Sequence, residues 1–286
     1  MDILKINTEA VYCVGDLHGN FNDILFFIKS KDIKNSTIIF CGDVGIGFNK
    51  PEYYKQIFNK IKKELNKRKL YLLFIRGNHD SSVEFNGSSY KDKRVRTLRD
   101  YTVTQIYGMD DTEFKGESYN ILNVGGAISI DRTYRWARTE RRALEYKRYH
   151  GCTMDEALKL CPQEYWPGEE PFFDENKLNE LKNSGIKINA VCTHTCPSFC
   201  TPFTKDGIRG WLLEDNKLEA DLGNERQTMD RIYERLVEDG HPLDKWCYGH
   251  YHFHNSEEKN GIYFYLLDMD RGGIMDAVCI KRFDKE

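Results

Sequence analysis

The feature that most constrains the fold is a recurring pattern in which a short apolar run is followed at once by acidic, amide or histidine side chains. Five such runs occur along the 286 residues, with the sequences AVYCVGD, STIIFCGD, LYLLFIRGNHD, NAVCTH and KWCYGH. Short runs rich in β-branched and aromatic residues are typical of buried strands. Helix-like segments alternate with them, at residues 21–31, 51–69, 174–183 and 224–238. This alternation predicts an α/β protein.

Composition restricts the class of protein and its expected surroundings. Hydrophobic residues make up 40% and charged residues 30% of the chain, as in ordinary soluble domains, and the net charge of -3 gives no overall preference for nucleic acid or membrane. The chain has neither a signal-peptide pattern at its start nor an apolar stretch of the ~20 residues that cross a bilayer. Its nine cysteines, an odd number, are expected to be reduced thiols. These features predict a cytoplasmic protein without a membrane partner.

The segment from about 131 to 171 differs in amino-acid composition from the rest of the chain. A basic and aromatic stretch, RTYRWARTERRALEYKRYH, precedes a short helical piece and then YWPGEEP. We interpret residues 1–286 as one domain that carries this helix-and-loop segment as an insertion near the mouth of the site. The basic run is suited to steering and stacking a nucleotide or polynucleotide, and equally to forming a solvated helix face with local acidic partners.

Polar side chains at the strand ends predict a metal site. In open α/β sheets the ligand crevice lies at the carboxyl ends of the strands, and five of the eight histidines follow the apolar runs. Mixed histidine, aspartate and asparagine ligands suit borderline or hard divalent cations such as Mn, Fe, Zn or Mg. Two cations need about seven protein ligands. The chain offers seven at these positions: Asp16, His18, Asp43, Asn78, His194, His250 and His252.

The ordered motifs GDLHG, GDVG, RGNHD, TH and GHYH resemble those of the calcineurin-like metallophosphoesterase superfamily, over nearly the whole chain. The resemblance implies a four-layer αββα sandwich with two mixed β-sheets and a dinuclear metal site at the strand ends. It implies that Asp43 bridges two divalent cations, Mn being favoured over Fe, Zn, Mg or Ni. The ligands of one cation would be Asp16, His18 and His252, and those of the other Asn78, His194 and His250.

The resemblance also implies a reaction and two catalytic residues. A hydroxide that bridges the cations would attack phosphorus in line, while the cations offset charge on the phosphoryl oxygens. His79 would protonate the leaving oxygen or stabilise its charge, and Asp80 would orient the imidazole of His79.

One departure from the superfamily bears on the substrate. Protein serine/threonine phosphatases carry Asp-Arg-Gly at the second motif, whereas this chain reads GDVGIGF and lacks the phosphate-clamping arginine there. The stretch GGAISIDR, with YWPGEEP further on, resembles a group of bacterial and phage phosphoesterases with a GGAxSxDR segment. We expect Arg132 or Arg135, with their planar forks of donors, to replace the clamp.

Three functions remain open on the sequence alone. The favoured one is hydrolysis of phosphomonoesters or phosphodiesters, with a small or nucleotide-based substrate preferred over a phosphoprotein. The second is a nuclease or a nucleic acid end-processing phosphatase. The third is a catalytically silent binding scaffold, against which the presence of His79 and every ligand position argues. The sequence does not indicate an oligomeric state.

Overall fold

The fold comes from a computed structural model, which describes residues 1–86, 93–161 and 163–283. In chain order the strands are β1 (Ile3–Asn7), β2 (Ala10–Val14), β3 (Ser36–Phe40), β4 (Tyr71–Phe74), β5 (Val95–Thr97), β6 (Thr102–Tyr107), β7 (Tyr119–Val124), β8 (Ala190–Thr193), β9 (Lys245–Tyr248), β10 (Asn255–Lys259), β11 (Ile262–Leu266) and β12 (Ala277–Arg282). The helices are α1 (Asp23–Ser30), α2 (Pro51–Arg68), α3 (Ser82–Asn86), α4 (Arg132–His150), α5 (Met154–Leu160), α6 (Glu175–Ser184), α7 (Ile208–Glu214) and α8 (Leu218–Glu238).

The strands form two mixed sheets. The five-stranded sheet has the order β12-β2-β3-β4-β5, and the seven-stranded sheet the order β1-β6-β7-β8-β9-β11-β10. The strands that precede the five sequence motifs run parallel within each sheet: β2, β3 and β4 in one, β8 and β9 in the other. Antiparallel pairing is found at β12 with β2, β6 with β7 and β10 with β11. Because these strands are parallel within each sheet, the motifs that follow them lie at the same edge of that sheet.

Side chains on the central strands point alternately to the two faces of their sheet, and this alternation produces the layered architecture. On β3, Ile38 and Phe40 face the core under α1 and α2, whereas Ile39 faces the second sheet. The outer core of the seven-stranded sheet similarly packs against α6 and α8, through residues such as Leu178 and Met229. Successive strand side chains point to opposite faces, so each strand supplies two cores. The predicted four-layer αββα sandwich is confirmed.

The helix α2 shows how the sequence specifies one of the outer layers. Its buried residues, Tyr54, Phe58, Ile61 and Leu65, recur at the three- and four-residue spacing that gives a helix one apolar face. Pro51 occupies the first turn, where its missing N–H removes no helical hydrogen bond. The helix ends at a left-handed Lys69. The sequence prediction of 51–69 agrees with these bounds to one residue.

One helix prediction differs more from the structure. The last long helix begins at Leu218 and not at residue 224, because Leu218 is buried and Gly223 lies within the helix without ending it. The segment 131–171 contains two helices, α4 and α5, which pack on each other through Ala143 and Ala157. Within the described ranges, no helix has the length and apolarity needed to cross a membrane.

Four cysteines contribute to the core between the sheets. Cys13, Cys41, Cys192 and Cys247 are fully buried, and the Sγ atoms of Cys13 and Cys192 lie 3.3 Å apart. Burial raises the pKa of the Cys13 thiol well above its usual value. Buried thiols of this kind pack as small apolar groups. The nine cysteines of the chain are all unpaired, and Cys196 and Cys200 are also buried.

Candidate active site

Loops from both sheets build one cluster of polar side chains. Asp16, Asp43 and Asn78 follow β2, β3 and β4 of the five-stranded sheet, while His194 and His250 follow β8 and β9 of the seven-stranded sheet. All five are buried, with exposures of 1% or less. Burial of charged and polar groups is costly unless they are paired, hydrogen-bonded or bound to a cation. The cluster therefore calls for a binding partner at its centre.

The first half of the cluster contains Asp16, His18, Asp43 and His252, whose potential ligand atoms all lie within 4.8 Å of one another. His252 Nε2 lies 3.2 Å from Asp16 Oδ2 and 3.2 Å from His18 Nε2. Two imidazole nitrogens and a carboxylate oxygen thus converge on one point. The backbone N–H of His250 donates to both Asp16 oxygens and fixes that carboxylate.

The second half shares Asp43 with the first. The potential ligand atoms of Asp43, His194 and His250 also lie within 4.8 Å of one another. His194 Nε2 is 3.2 Å from Asp43 Oδ1 and 3.0 Å from Asn78 Oδ1. His194 Nδ1 contacts the carbonyl oxygen of Cys41 at 2.7 Å, an arrangement that directs Nε2 toward the cluster. All seven predicted ligands come together, in two groups that share Asp43.

The donor set fits two divalent cations. Asp43 Oδ2 and His250 Nδ1 are buried and accept no hydrogen bond from the described part of the chain. Such orphaned acceptors are rare unless a ligand or ion satisfies them. Carboxylate, amide and imidazole donors without thiolate match the chemistry of Mn, Fe, Zn or Mg.

The backbone at the cluster is strained. Four of its residues, His18, Asp43, His250 and His252, have φ between 45° and 73°. Side chains other than glycine seldom adopt this left-handed region, and such residues concentrate at functional sites. Gly42 has φ of 100°, and a Cβ there would overlap the ring of His194. Close approach of the loops therefore depends on small residues beside the ligands.

Burial and charge set the protonation of the cluster in opposite ways. Burial by itself lowers the pKa of His194. The nearby carboxylates of Asp43 and Asp16 raise this pKa by more than burial lowers it, and the result is a pKa of about 9. Burial lowers the pKa of His79 to about 4, and that of His250 well below its ordinary value. Burial raises the pKa of the Asp43 carboxyl, yet His194 and His79 outweigh this effect and hold it well below the usual range.

His79 lies at the edge of the cluster. It is 7% exposed, its Nε2 is 3.8 Å from Asp43 Oδ2, and its ring centroid is 5.7 Å from that of His18. Its backbone N–H donates to Asp43 Oδ1 at 2.8 Å. Its Nδ1 makes no hydrogen bond to any described residue.

The structure corrects the role predicted for Asp80. Its carboxylate does not orient the imidazole of His79; it accepts four backbone N–H bonds of 2.8 to 3.0 Å, from Val44, Gly45, Ile46 and Gly77. Asp80 thereby ties the loop that carries Asp43 to the loop that carries Asn78. Burial is the main cause that raises its pKa to about 6.

The two candidate clamp arginines differ. Arg132 donates through Nε to Asp215 and through Nη2 to Asp221, each at 2.6 Å, so two of its three nitrogens are paired with carboxylates, and its phosphate-binding role stays a prediction. Among the described residues, Arg135 donates through Nε alone, to Asp131 at 2.7 Å, and it is close enough to His79 to lower the pKa of that ring. Of the two, Arg135 has fewer of its nitrogens paired with carboxylates in the described part of the chain.

Sequence reasoning missed a chain of hydrogen bonds behind Asn78. Asn78 Nδ2 donates to Ser129 Oγ at 2.8 Å, and Ser129 Oγ donates to Glu169 Oε2 at 2.7 Å. The Ser129 N–H donates to the other oxygen of Glu169. These hydrogen bonds fix the Asn78 side-chain amide so that its oxygen faces the cluster. Ser129 belongs to GGAISIDR and Glu169 to YWPGEEP, so the joint presence of the two segments was the available signal.

Arg76 fastens the same loop to the site. It is 4% exposed and donates to the carbonyl oxygen of Glu169 at 2.8 Å and to that of Glu170 at 3.3 Å. It also forms an ion pair with Asp100 at 3.3 Å. The loop at the end of the 131–171 segment is thus held against the strand-end motifs.

A family model described as calcineurin-like phosphoesterase matches residues 10–254, most of the chain. The chain belongs to this family, whose members bind two metal ions, and it is a metal-dependent phosphoester hydrolase with a candidate Asp/His metal site. No curated protein matches it.

Several solved structures are similar to this chain at low identity. A dimetal phosphatase from Danio rerio is 12% identical, over 92% of this chain and 88% of that one, with a TM-score of 0.42. The phosphopantetheinyl hydrolase of Mycobacterium tuberculosis is 14% identical, over 96% and 97%, with a TM-score of 0.40. GAP50 of Plasmodium, an anchor in the inner membrane complex, is 13% identical, over 91% and 71%, with a TM-score of 0.45.

Proposed function

We propose that the two groups of side chains hold two divalent cations, bridged by Asp43. Asp16, His18 and His252 bind one cation; Asn78, His194 and His250 bind the other. The observation that carries this proposal is the sharing of Asp43 by both groups, together with its orphaned, buried Oδ2. When bound, such cations lower the pKa of a water and offset charge on phosphoryl oxygens.

The protein residues position the ester and its leaving oxygen. In this proposal His79, whose Nε2 lies 3.8 Å from Asp43 Oδ2, donates a hydrogen bond or a proton to that oxygen. Arg135, one of whose nitrogens donates to Asp131, binds a phosphoryl oxygen through its remaining donors in the same proposal. Asp80, Ser129 and Glu169 hold the loops and the Asn78 amide in place.

The preferred substrate in this proposal is a small or nucleotide-based phosphate ester, and not a phosphoprotein, because the second motif lacks the protein-phosphatase arginine. A polynucleotide is less well supported. Several arginines of the basic helix α4 are paired with acids: Arg138 and Arg142 both contact Glu164, at 3.2 and 2.7 Å. Manganese is the proposed metal, and the unpaired cysteines support a cytoplasmic location.

The test is hydrolysis of p-nitrophenyl phosphate and bis-p-nitrophenyl phosphate by metal-stripped protein resupplied with Mn, Zn, Mg or Ni. We expect metal to restore turnover, and the preferred ester to show whether the protein is a mono- or a diesterase. An Asp43→Asn variant should bind less metal and turn over neither ester. Equal metal content in this variant and the parent would refute the bridging role.

A further inference from the structure

A cleft of about 490 Å³ opens between the loop after β3 and the segment that follows α5. Its walls include Phe48, Lys50, Glu84, Lys159 and Trp166. Phe48 and Trp166 are half-buried, and their rings are nearly parallel, at 17°, with centroids 6.2 Å apart. None of these five residues was assigned a role from the sequence.

The cleft adjoins the candidate active site on the side of His79. Ser81, two residues beyond His79, lines it, and the Ser81 N–H donates to the carbonyl oxygen of Ile46 at 2.7 Å. Phe48 packs beside Gly19, which directly follows His18. Because His79 is proposed to face the leaving oxygen, a leaving group that extends past Ser81 would enter this cleft.

Two features of the cleft point to a ligand with a flat ring and hydroxyl groups. The ring of Trp166 lies against the backbone of Gly47, where any Cβ would overlap it, so a platform is held in a fixed position. Stacking on such a platform suits any nucleobase, since every base has a π-face. Glu84 Oε2 is buried and accepts no hydrogen bond from the described residues, which leaves a carboxylate acceptor for hydroxyl donors.

We propose that this cleft binds the nucleoside group of a nucleoside monophosphate substrate, with the base on the Phe48 and Trp166 platform and a ribose hydroxyl donating to Glu84. In the reaction a water oxygen bonds to phosphorus, the bond from phosphorus to the ribose oxygen breaks, and that oxygen takes a proton. The inference rests on the proposed phosphoesterase function and adds its substrate class.

Direct binding to metal-free protein tests the cleft independently of turnover. We would follow tryptophan fluorescence while adding adenosine 5′-monophosphate, its 2′-deoxy form or ribose 5-phosphate. We expect loss of the base to weaken binding by about tenfold or more, which is what base stacking contributes. Trp166→Ala should remove that difference, and Glu84→Gln should remove the difference between the ribo and deoxy forms. Because Trp166→Ala also removes a fluorophore, its binding is measured by calorimetry.

Matched variants elsewhere serve as controls. Trp211→Ala and Glu219→Gln alter the same residue types away from the cleft and should leave all three affinities unchanged. If Trp166→Ala fails to fold, Phe48→Leu replaces it. Equal binding of adenosine 5′-monophosphate and ribose 5-phosphate would overturn the inference. Metal-dependent hydrolysis of ribose 5-phosphate in that case would show that the proposed function still stands.

Discussion

At the residue scale, His79 and Asp80 show how sequence neighbours take separate positions. The His79 ring faces the shared Asp43, whereas the Asp80 carboxylate is turned away into four backbone N–H groups. A histidine with a free ring nitrogen beside the site can act on a substrate. A carboxylate with its oxygens occupied by the backbone can only hold loops together.

We therefore expect His79→Asn to lower kcat by about 10²- to 10⁴-fold, the range for loss of a general acid or base. Metal content should not change, because His79 is not among the proposed ligands. The measurement is p-nitrophenyl phosphate turnover alongside metal analysis of the same sample. His254→Asn, which changes an exposed histidine bonded to Asp276, is the control. Full turnover in His79→Asn would contradict the role.

A second residue-scale prediction concerns the chain from Asn78 through Ser129 to Glu169. Ser129→Ala should weaken metal binding about 10- to 100-fold, the usual cost of removing a group that orients a metal ligand. Glu169→Gln should act in the same direction, while Glu170→Gln, an exposed neighbour, should not. Competition with a chromophoric chelator measures these affinities. Unchanged affinity in Ser129→Ala would show that the amide is fixed in another way.

The amino-acid sequence predicts which side chains meet at the site better than it predicts which hydrogen bonds the surrounding side chains form. The seven candidate ligands come together because each follows a strand, and parallel strands end at one edge. The hydrogen bonds from Arg132 to Asp215 and Asp221 could not be predicted from the sequence, since both partners lie more than eighty residues away along the chain. The same applies to Ser129 and Glu169, which meet only once the loop after α5 folds back on the site.

At the element scale, Arg132 and Arg135 give α4 two different attachments. Arg132 ties the first turn of α4 to the region of α7 and α8, and Arg135 bonds within its own turn to Asp131. We expect Arg132→Ala to lower the free energy of unfolding by about 1 to 2 kcal/mol, through loss of charged hydrogen bonds that are partly exposed. Arg135→Ala should instead raise KM for phosphate esters.

Denaturant unfolding and steady-state kinetics on both variants separate the two attachments. Arg148→Ala, in the exposed last turn of α4, should change neither quantity. An increase in KM for Arg132→Ala at unchanged stability would return Arg132 to the role of phosphate clamp.

At the scale of the whole molecule, Glu169 should make stability depend on pH in metal-free protein. Burial is the main cause that raises its pKa from 4.5 to about 8. Above about pH 4.5 the unfolded chain loses a proton that the folded chain keeps, so stability falls as pH rises and levels off near pH 8, by a few kcal/mol in all. Urea unfolding across this range should show the decline, and Glu169→Gln should flatten it. If stability declined with pH as steeply in Glu169→Gln as in the parent, other titratable groups would be its cause.

The proposed metal centre also joins the two sheets. Asp16, Asp43 and Asn78 extend from the five-stranded sheet, while His194 and His250 extend from the seven-stranded sheet. Two cations held across this boundary would stabilise the packing of one sheet on the other. Without them, Asp43 Oδ2 and His250 Nδ1 are buried and have no hydrogen-bond partner among the described residues.

Metal removal should therefore lower the melting temperature of the whole molecule in a single transition. A site held at 100 times its Kd contributes about 2.7 kcal/mol, and two sites contribute more. Thermal unfolding with and without chelator measures this loss. Asp43→Asn should remove most of the response, because that carboxylate is the proposed bridge between both cations, whereas His254→Asn should preserve it. If the chelator separates unfolding into two transitions, the sheets unfold independently without metal, and the cations provide the coupling between them.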